Sequence, residues 1–388
     1  MRIGIDARLA LYSKRGHGRH IYNLIHNLAK IDSTNEYILY LDRPDEEGCL
    51  PTTSNFSKKV IKSWNYLLWE QLLLPIRLWI DKPDLVHFTN HTAPWICPVR
   101  NVVTIHDLIF LNSEIPPSPV LYQRFGRFYK ALTTPFRARR ADRVIACSNF
   151  TKGDIVKLLD LPEERIDAIL EAVDPQYKLV DDSYLLEMIK QKYGIGKDFI
   201  LGLGGQDPRK NTSSIIRACK KMKDRYSCKH HLVIAGLENW LKSPVFGLVQ
   251  DLGLRDSVKF TGFVSDKDLV LLYNAAALFV YPSLSEGFGF PALEAMACGT
   301  PVITSNVTAL PEVVGDAAIL VDPKDIDGLV EAMHDVLSQN SLRLRLIEKG
   351  LKRVKHFSWE TFAKKTLLVY NRVYRETGGL DKQPERIR

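Results

Sequence analysis

Short runs of β-branched and other apolar residues alternate along this chain with longer segments of helical periodicity. In the first half the apolar runs lie at 2–6, 37–41, 85–89, 102–106 and 143–148, with helical patterns at 18–30, 66–80, 119–140 and 149–159. The alternation restarts with runs at 199–205, 231–236, 258–263, 277–282, 301–305 and 318–321. Strands that are apolar on both faces and alternate with helices are typical of parallel sheets. We therefore predict an α/β chain with two doubly wound domains.

The predicted joint between the domains lies at 174–183, where the periodicity lapses and acidic and turn residues gather. We predict an N-terminal domain over 1–175 and a C-terminal domain over 176–357, with the segment 358–388 joining the first domain through a long helix. Ligands of such domains bind beyond the carboxyl ends of the strands. The expected site is the cleft between the two domains.

Composition narrows the class of protein. Of the 388 residues, 45% are apolar and 25% are charged, which is the balance of a globular protein. The six cysteines include no CxxC pair, which favours free thiols in a reducing cytoplasm over disulfides or a metal site. The longest apolar stretch, 66–80, is interrupted by Glu70 and Pro75, so no membrane-spanning segment is expected.

Positive charge is concentrated in two stretches. Residues 115–143 hold seven basic residues against one acid, and 351–388 hold ten against four. Solvated helix faces are one explanation. The first stretch also interleaves aromatic residues with arginines, among them Arg137, Arg139 and Arg140, which favours peripheral contact with an anionic membrane. No sequence motif of a nucleic-acid-binding domain accompanies this stretch, so no nucleic-acid partner is predicted.

The stretch EGFGFPALE carries the most distinctive chemistry. It follows an apolar run and precedes a helix opened by a proline, so Gly287 and Gly289 lie where backbone N–H groups and the helix dipole can hold an anion. Glu286 and Glu294 flank that place, and carboxylates accept hydrogen bonds from vicinal hydroxyls. A phosphate-bearing sugar or nucleotide is the predicted ligand. Two ordinary surface glutamates are the alternative.

Other strand ends add candidate residues. The turn GGQDPRKN places Arg209 and Lys210 at a strand's carboxyl end, where two cations suggest a diphosphate. Gly16 and Gly18 open a helix but lack the third glycine of a dinucleotide site. His106 ends the run VVTIH and is either catalytic or structural on spacing alone.

The chain resembles the family 4 glycosyltransferases in motifs that span nearly its whole length. SEGFGFPALEAMACGTPVITSN at 285–306 matches the family's Glu-x7-Glu signature, and LPEVVGDAAILVDP at 310–323 matches the segment that follows. GIDAR, RGHGR and TIHD occur in the expected order in the first half. The resemblance implies the GT-B fold, with two facing Rossmann-like domains, parallel sheets and a deep interdomain cleft, and sugar transfer with retention of anomeric configuration.

The family's residue roles carry over to matching positions. Glu286 would bind the donor sugar's hydroxyls and Glu294 the ribose. Lys210 and Arg209 would neutralise the diphosphate, and His106 would lie on the reacting side of the sugar. The remaining donor-binding positions implied by the resemblance are Gly16, Gly18, Phe263, Val264, Gly287, Phe288, Gly289 and Phe290.

Two details of these motifs carry further expectations. Phe288 and Phe290 are expected to anchor the loop while its glycines admit the donor. Gly205 stands where many members carry an arginine, so one phosphate cation is missing unless Arg209 substitutes for it.

The opening GIDAR and the segment SNVTALPEVVGDAA look most like mannosyltransferases of bacterial surface polysaccharides. That resemblance implies transfer of mannose from GDP-mannose to a hydroxyl of a glycan or a polyprenyl-linked acceptor. The predicted reaction needs no metal or other cofactor, because cations and N–H groups neutralise the diphosphate. The triplet DID at 325–327 has the Asp-x-Asp spacing of metal-dependent glycosyltransferases, but capping of the following helix explains it better. The predicted location is the cytoplasm, with peripheral contact at the inner face of the membrane.

Three alternatives remain. One is a GT-B enzyme that uses a UDP-sugar, either a glucosyl- or N-acetylglucosaminyltransferase or an epimerase. A glycan phosphorylase would need a pyridoxal site that the sequence does not show. The third is a non-catalytic GT-B binding subunit, and the joint presence of Glu286, Glu294, Lys210 and His106 argues against such degeneracy.

Overall fold

The structure is a computed structural model that describes residues 1–12, 16–112, 121–196, 198–205 and 207–378. Its contacts divide the chain into two compact units. The first unit comprises Met1–Leu111, Phe125–Glu171 and the segment that begins at Ser358, and the second includes Ala172–Phe357.

The first unit contains a seven-stranded parallel sheet in the order β3-β2-β1-β4-β5-β6-β7. Sequence periodicity missed the two edge strands. The sequence of β3, FSKKV, is polar, and β7 consists of only three residues, IDA. The strands are β1 Arg2–Asp6, β2 Glu36–Leu41, β3 Phe56–Val60, β4 Leu85–Phe88, β5 Arg100–Ile105, β6 Arg143–Ala146 and β7 Ile166–Ala168.

The second unit contains a six-stranded parallel sheet in the order β10-β9-β8-β11-β12-β13. Each of its strands lies within a run that the sequence pattern predicts. The two sheets confirm the predicted parallel α/β architecture. The strands are β8 Phe199–Leu203, β9 His231–Ala235, β10 Val258–Gly262, β11 Leu278–Tyr281, β12 Val302–Ser305 and β13 Ile319–Val321.

Helices alternate with these strands, and a π-helical turn at Trp69–Leu73 joins α2 to α3. Among the described residues no helix is both long and apolar enough to cross a bilayer. The helices are α1 His17–Ile31, α2 Tyr66–Leu68, α3 Leu74–Asp81, α4 Leu121–Arg140, α5 Asn149–Leu159, α6 Ser183–Lys192, α7 Thr212–Tyr226, α8 Pro244–Asp251, α9 Asp266–Ala275, α10 Phe290–Ala297, α11 Leu310–Val314, α12 Ile326–Ser338, α13 Asn340–Val354 and α14 Trp359–Gly378.

Each sheet is buried by the helices beside it. In the second unit Phe199 and Leu201 of β8 pack in a core with residues of α9 and α10, while Ile200 packs on the opposite face with residues of α7 and α12. In the first unit Tyr370 of α14 hydrogen-bonds to His87 of β4 at 2.6 Å, so the last helix covers the first sheet. Burial on both faces is why the strands read as continuous apolar runs.

Candidate active site

The loop between β11 and α10 has the backbone conformation that its glycines predict. Gly289 caps α10 with a φ of +106°, in the left-handed region. A Cβ on Gly289 would lie 2.7 Å from Leu310, so only glycine fits without a shift. Phe288 is buried, and its ring centroid lies 5.1 Å from that of Phe290 and 5.9 Å from that of Phe357. These ring contacts anchor the loop, as expected from the sequence.

Glu286 lies in this loop, and its carboxylate is held by two cations that follow β8. Arg209 approaches one carboxylate oxygen at 2.6 Å, and Lys210 approaches the other at 3.0 Å. The hydroxyl groups of Ser283 and Tyr281 donate hydrogen bonds to the same carboxylate. Residues that the resemblance assigns separately to the sugar and to the diphosphate thus form one ion-paired cluster.

Electrostatics fix the charges in this cluster. Burial would raise the pKa of Glu286, but Arg209 and Lys210 lower it well below its usual range. Burial would lower the pKa of Arg209, yet Glu286 raises it above its already high value. For Lys210, burial lowers the pKa and Glu286 opposes that shift. Two cations and one carboxylate near the N-terminus of α10 form an environment that suits an anionic diphosphate.

Glu294 has different surroundings, although it lies on the helix that the same loop begins. It is buried on α10, and one of its carboxylate oxygens lies 3.4 Å from the hydroxyl of Tyr273. Burial and the Glu294 charge raise the pKa of Tyr273 well above its usual value, so the phenol stays a neutral donor. The carboxylate of Glu294 therefore contacts a protein hydroxyl group, and its predicted role in binding ribose remains a prediction.

A cavity of about 480 Å³ opens beside the loop that follows β10. Phe263 lines it and is exposed, whereas the side chain of Val264 is buried in the core. Of these two predicted donor-binding positions, Val264 can therefore offer only its backbone. The sequence analysis did not predict that residues 238–242 belong to a binding site. The residues that line the cavity are Glu238, Asn239, Trp240, Leu241, Lys242, Gly262 and Phe263.

The predicted first-half residues meet in the first unit. Gly16 has a φ of +52° and caps α1, and Gly18 is buried in the first turn of that helix. The turn places the ring of His17 in a stack on His106, with 4.3 Å between centroids, and the ring of His20 edge-on to His106 at 4.6 Å. Gly16 and Gly18 therefore position a histidine cluster next to the predicted catalytic residue.

His106 follows β5 and is almost fully buried. Its Nε2 atom lies 3.1 Å from the carbonyl oxygen of Thr89, and its Nδ1 atom lies 3.3 Å from a carboxylate oxygen of Glu171. That same oxygen contacts Nδ1 of His20. The ring is thus fixed at both nitrogens.

Sequence reasoning missed His20 and Glu171. The first follows His17 at helical spacing, and the second is a lone acid within the apolar segment AILEAV, which is a signal of a paired buried carboxylate. Among the described residues, His20, His106 and Glu171 form the group whose nitrogen and oxygen atoms, within 4.8 Å of one another, could hold a metal ion. The Nδ1 atoms of His20 and His106 both already contact the carboxylate of Glu171.

The triplet DID acts as predicted, through helix capping. Asp325 is the N-cap of α12 and accepts a hydrogen bond of 2.9 Å from the backbone N–H of Gly328. Asp327 is exposed and pairs with Lys221 at 2.8 Å and with Arg225 at 2.7 Å.

One prediction about the basic stretches is wrong. Arg137 was expected on a membrane-facing surface, but it is buried and donates to the side chain of Asn101 at 3.0 Å and to the carbonyl of Trp95. Arg139 and Arg140 are exposed. Both basic stretches extend into parts of the chain that lie outside the described residues.

The two parallel-sheet units have the GT-B fold. A solved structure, Anabaena Alr3699/HepE in complex with UDP and glucose, matches with a TM-score of 0.72 over 96% of this chain and 100% of that chain, at 17% identity. Residues 14–177 match the model described as Glycosyltransferase Family 4, and residues 187–353 match Glycosyl transferases group 1.

Curated relatives point to the same family. The O-antigen chain mannosyltransferase B of Escherichia coli is 34% identical over 274 residues, 70% of each chain. The serotype-specific mannosyltransferase WbdA of the same organism is 33% identical over 74% of this chain. That match covers only 35% of the length of WbdA. The chain belongs to glycosyltransferase family 4, and it is a hexosyltransferase.

Proposed function

We propose that this enzyme transfers mannose from GDP-mannose to a hydroxyl of a lipid-linked surface polysaccharide, with retention and without a metal ion. The observation that carries the proposal is the ion-paired cluster of Glu286, Arg209 and Lys210 beside the N-terminus of α10. The choice of mannose and of a polysaccharide acceptor is supported by relatives named as O-antigen mannosyltransferases.

Leaving-group stabilisation is the main catalytic effect in this proposal. The bond between the anomeric carbon and the diphosphate oxygen breaks, and its electron pair stays on the diphosphate. Lys210, Arg209 and the backbone N–H groups at the start of α10 stabilise that charge. The acceptor oxygen bonds to the anomeric carbon on the same face, and its proton passes to the departing phosphate. The products are GDP and the mannoside.

The two glutamates would hold the two ends of the donor. Glu286 accepts hydrogen bonds from the mannose hydroxyls, and Glu294 accepts them from the ribose. The guanine base would lie at Phe263 and the backbone of Val264, beside the cavity described above. Following the family resemblance, His106 contacts the reacting sugar.

A nucleotide screen tests the donor. We expect GDP and GDP-mannose to raise the melting temperature more than UDP, dTDP, ADP and their sugars, because a ligand bound to the folded state stabilises it. Turnover of GDP-mannose with a polyprenyl-linked acceptor should give an α-linked product and persist after chelator treatment. A larger shift with UDP would contradict the choice of donor, and activity restored only by magnesium or manganese would contradict the metal-free mechanism.

We also propose that the first unit contacts an anionic membrane through an apolar surface on three neighbouring segments. Gln71 joins the segments, since it hydrogen-bonds to the backbone N–H of Trp95 at 2.9 Å and to the hydroxyl of Tyr129 at 2.6 Å. Arg139 and Arg140 lie on α4, which contains no acidic residue. Exposed apolar groups beside cations suit a lipid interface. The exposed members are Leu72, Ile76, Trp79, Ile80, Trp95, Ile96, Phe125, Phe128 and Leu132.

Vesicle co-sedimentation tests this surface. We expect binding to vesicles of phosphatidylglycerol but not to vesicles of phosphatidylcholine alone. Binding should fall in Trp79→Ser and Phe128→Ser but not in Leu344→Ser, which alters an exposed leucine of the second unit. Turnover with a soluble acceptor should be unchanged in all three. Unchanged sedimentation of the first two variants would contradict the proposal.

A further inference from the structure

Two neighbouring strand ends of the second unit form the cavity beside the loop after β10, and a backbone hydrogen bond ties them together. The N–H of Gly236, which follows β9, donates to the carbonyl oxygen of Gly262 at the end of β10 at 2.9 Å. A Cβ on Gly262 would meet no atom within 4 Å, so the cavity is open along this backbone. Its volume of about 480 Å³ lies in the range of small-molecule sites.

Aromatic rings line part of this cavity. The ring of Trp240 stacks on that of Phe260 with 5.0 Å between centroids, and it packs edge-on to Phe246 at 5.0 Å. The hydroxyl of Ser243 donates to the carbonyl oxygen of Trp240 at 2.6 Å, which fixes the same loop. Phe263 also lines the cavity and is 63% exposed. An exposed ring beside a fixed one suits a planar ligand, because bases stack on aromatic side chains.

Two side chains of opposite charge line the same cavity. Glu238 and Lys242 lie on the loop after β9, and both are exposed. Neither side chain forms a hydrogen bond or an ion pair with the residues that the structure describes. Between them, Asn239 has a φ of +51° and begins the 3₁₀ turn Trp240–Lys242. The cavity therefore offers an anionic acceptor and a cationic donor to a ligand.

Guanine is the base whose hydrogen-bonding edge matches these groups. Its N1–H and its amino group are adjacent donors, and its O6 atom is an acceptor beside them. A carboxylate can accept from both donors while an ammonium group donates to O6. Adenine would place the acceptor N1 against the carboxylate. Uracil and thymine have a single N–H between two carbonyl oxygens, so the carboxylate would gain one donor and face a second acceptor.

We propose that Glu238 and Lys242 select guanine in the nucleotide donor. The Glu238 carboxylate accepts hydrogen bonds from N1–H and from the amino group, the Lys242 ammonium group donates to O6, and the base stacks on Phe263. This inference rests on the proposed function, which places the base beside the same cavity. It goes further by naming the side chains that distinguish one nucleotide from another.

Inosine diphosphate (IDP) tests the Glu238 contact, because its base differs from guanine only in lacking the amino group. Isothermal titration of the full chain should give a Kd for GDP about tenfold or more below that for IDP, as expected for one charge-assisted hydrogen bond. Glu238→Ala should weaken GDP binding about tenfold or more and bring the two Kd values within about threefold of each other. Lys242→Met should weaken both nucleotides alike, because both contain O6.

Glu348→Ala is the matched control. Glu348 is an exposed glutamate on α13 of the same unit, where it pairs with Lys352 at 2.6 Å, and it does not line the cavity. Its removal should change neither Kd. All three variants alter exposed side chains, so their melting temperatures without nucleotide should match that of the wild type.

Equal binding of GDP and IDP by the wild type would overturn the inference. If GDP binds more tightly than UDP but Glu238→Ala keeps the wild-type ratio of GDP to IDP, the inference fails and the proposed donor stands. Tighter binding of UDP than of GDP would overturn both. A protein with the Glu238-dependent preference for GDP that does not turn over GDP-mannose would support the inference and refute only the proposed reaction.

Discussion

Each unit contains a buried carboxylate held by two basic side chains, but the bases differ. In the second unit Glu286 is paired with Arg209 and Lys210. In the first unit Glu171 is paired with His20 and His106. Guanidinium and ammonium groups stay charged over the physiological pH range, whereas the charge of an imidazole changes within it.

This difference assigns the two clusters different tasks. A cluster built on a guanidinium and an ammonium group suits an anionic ligand such as a diphosphate. A cluster of histidines around one carboxylate can fix the orientation of a ring, as the contacts of Glu171 and Thr89 do for His106. Under the proposed function, the second unit would stabilise the leaving group and the first unit would hold the ring of His106 in place.

The largest expected effect comes from removing the ammonium group of Lys210. Lys210→Ala should lower kcat about 100- to 1000-fold, which is the cost of losing one preorganised donor to a developing anion. Lys221→Ala is the matched control, since Lys221 pairs with Asp327 on the surface of the same unit. Steady-state release of GDP in the presence of acceptor measures both. A loss below about threefold in Lys210→Ala would argue against leaving-group stabilisation as the main effect.

The acid stability of the first-unit cluster is the second test. The pKa of Glu171 in the folded state, about 2, is below its ordinary value of 4.5, so its stabilisation is complete above pH 4.5 and is lost as pH falls toward 2. The melting temperature of Glu171→Gln should therefore approach that of the wild type as pH falls through this range. Glu376→Gln is the surface control, because Glu376 is an exposed carboxylate paired with Arg143, and it should show only a small difference. A constant gap for Glu171→Gln would contradict the assignment.

Glu294 gives a smaller effect that separates binding from chemistry. Glu294→Gln should raise the KM for GDP-mannose about tenfold, the equivalent of one charge-assisted hydrogen bond to ribose, with kcat within a few-fold of the wild type. Isothermal titration with GDP should show the same loss of affinity, whereas titration with inorganic diphosphate should not. A fall in kcat at constant KM would instead place Glu294 in the chemical step.

The smallest effect concerns the Asp-x-Asp triplet. Asp325→Ala removes the N-cap of α12 and should cost about 1 kcal/mol, or a fall of about 2 to 4 °C in melting temperature. Activity, with or without added manganese, should match the wild type. Lost activity that manganese restores would revive the metal-dependent alternative.

Much of the architecture was predictable because local periodicity reports burial. The run FILGL, and HLVIA after its first residue, are apolar because both faces of the second sheet are covered. The edge strands β3 and β7 were not predictable, because the polar FSKKV and the three-residue IDA carry no such pattern. Arg137 was predicted to be exposed because it lies in a basic helix. It is instead buried, and it donates a hydrogen bond to the side chain of Asn101.

The sequence by itself determined the alternation of strands and helices, the glycine turn before α10 and the capping role of Asp325, because each depends on residues close together in the chain. The tertiary structure alone decided the partners of the buried carboxylates. Glu286 meets Lys210 from 76 positions away, and Glu171 meets His20 from 151 positions away. These pairings form because the segments that follow separate strands meet beside a parallel sheet, and no local pattern encodes that meeting.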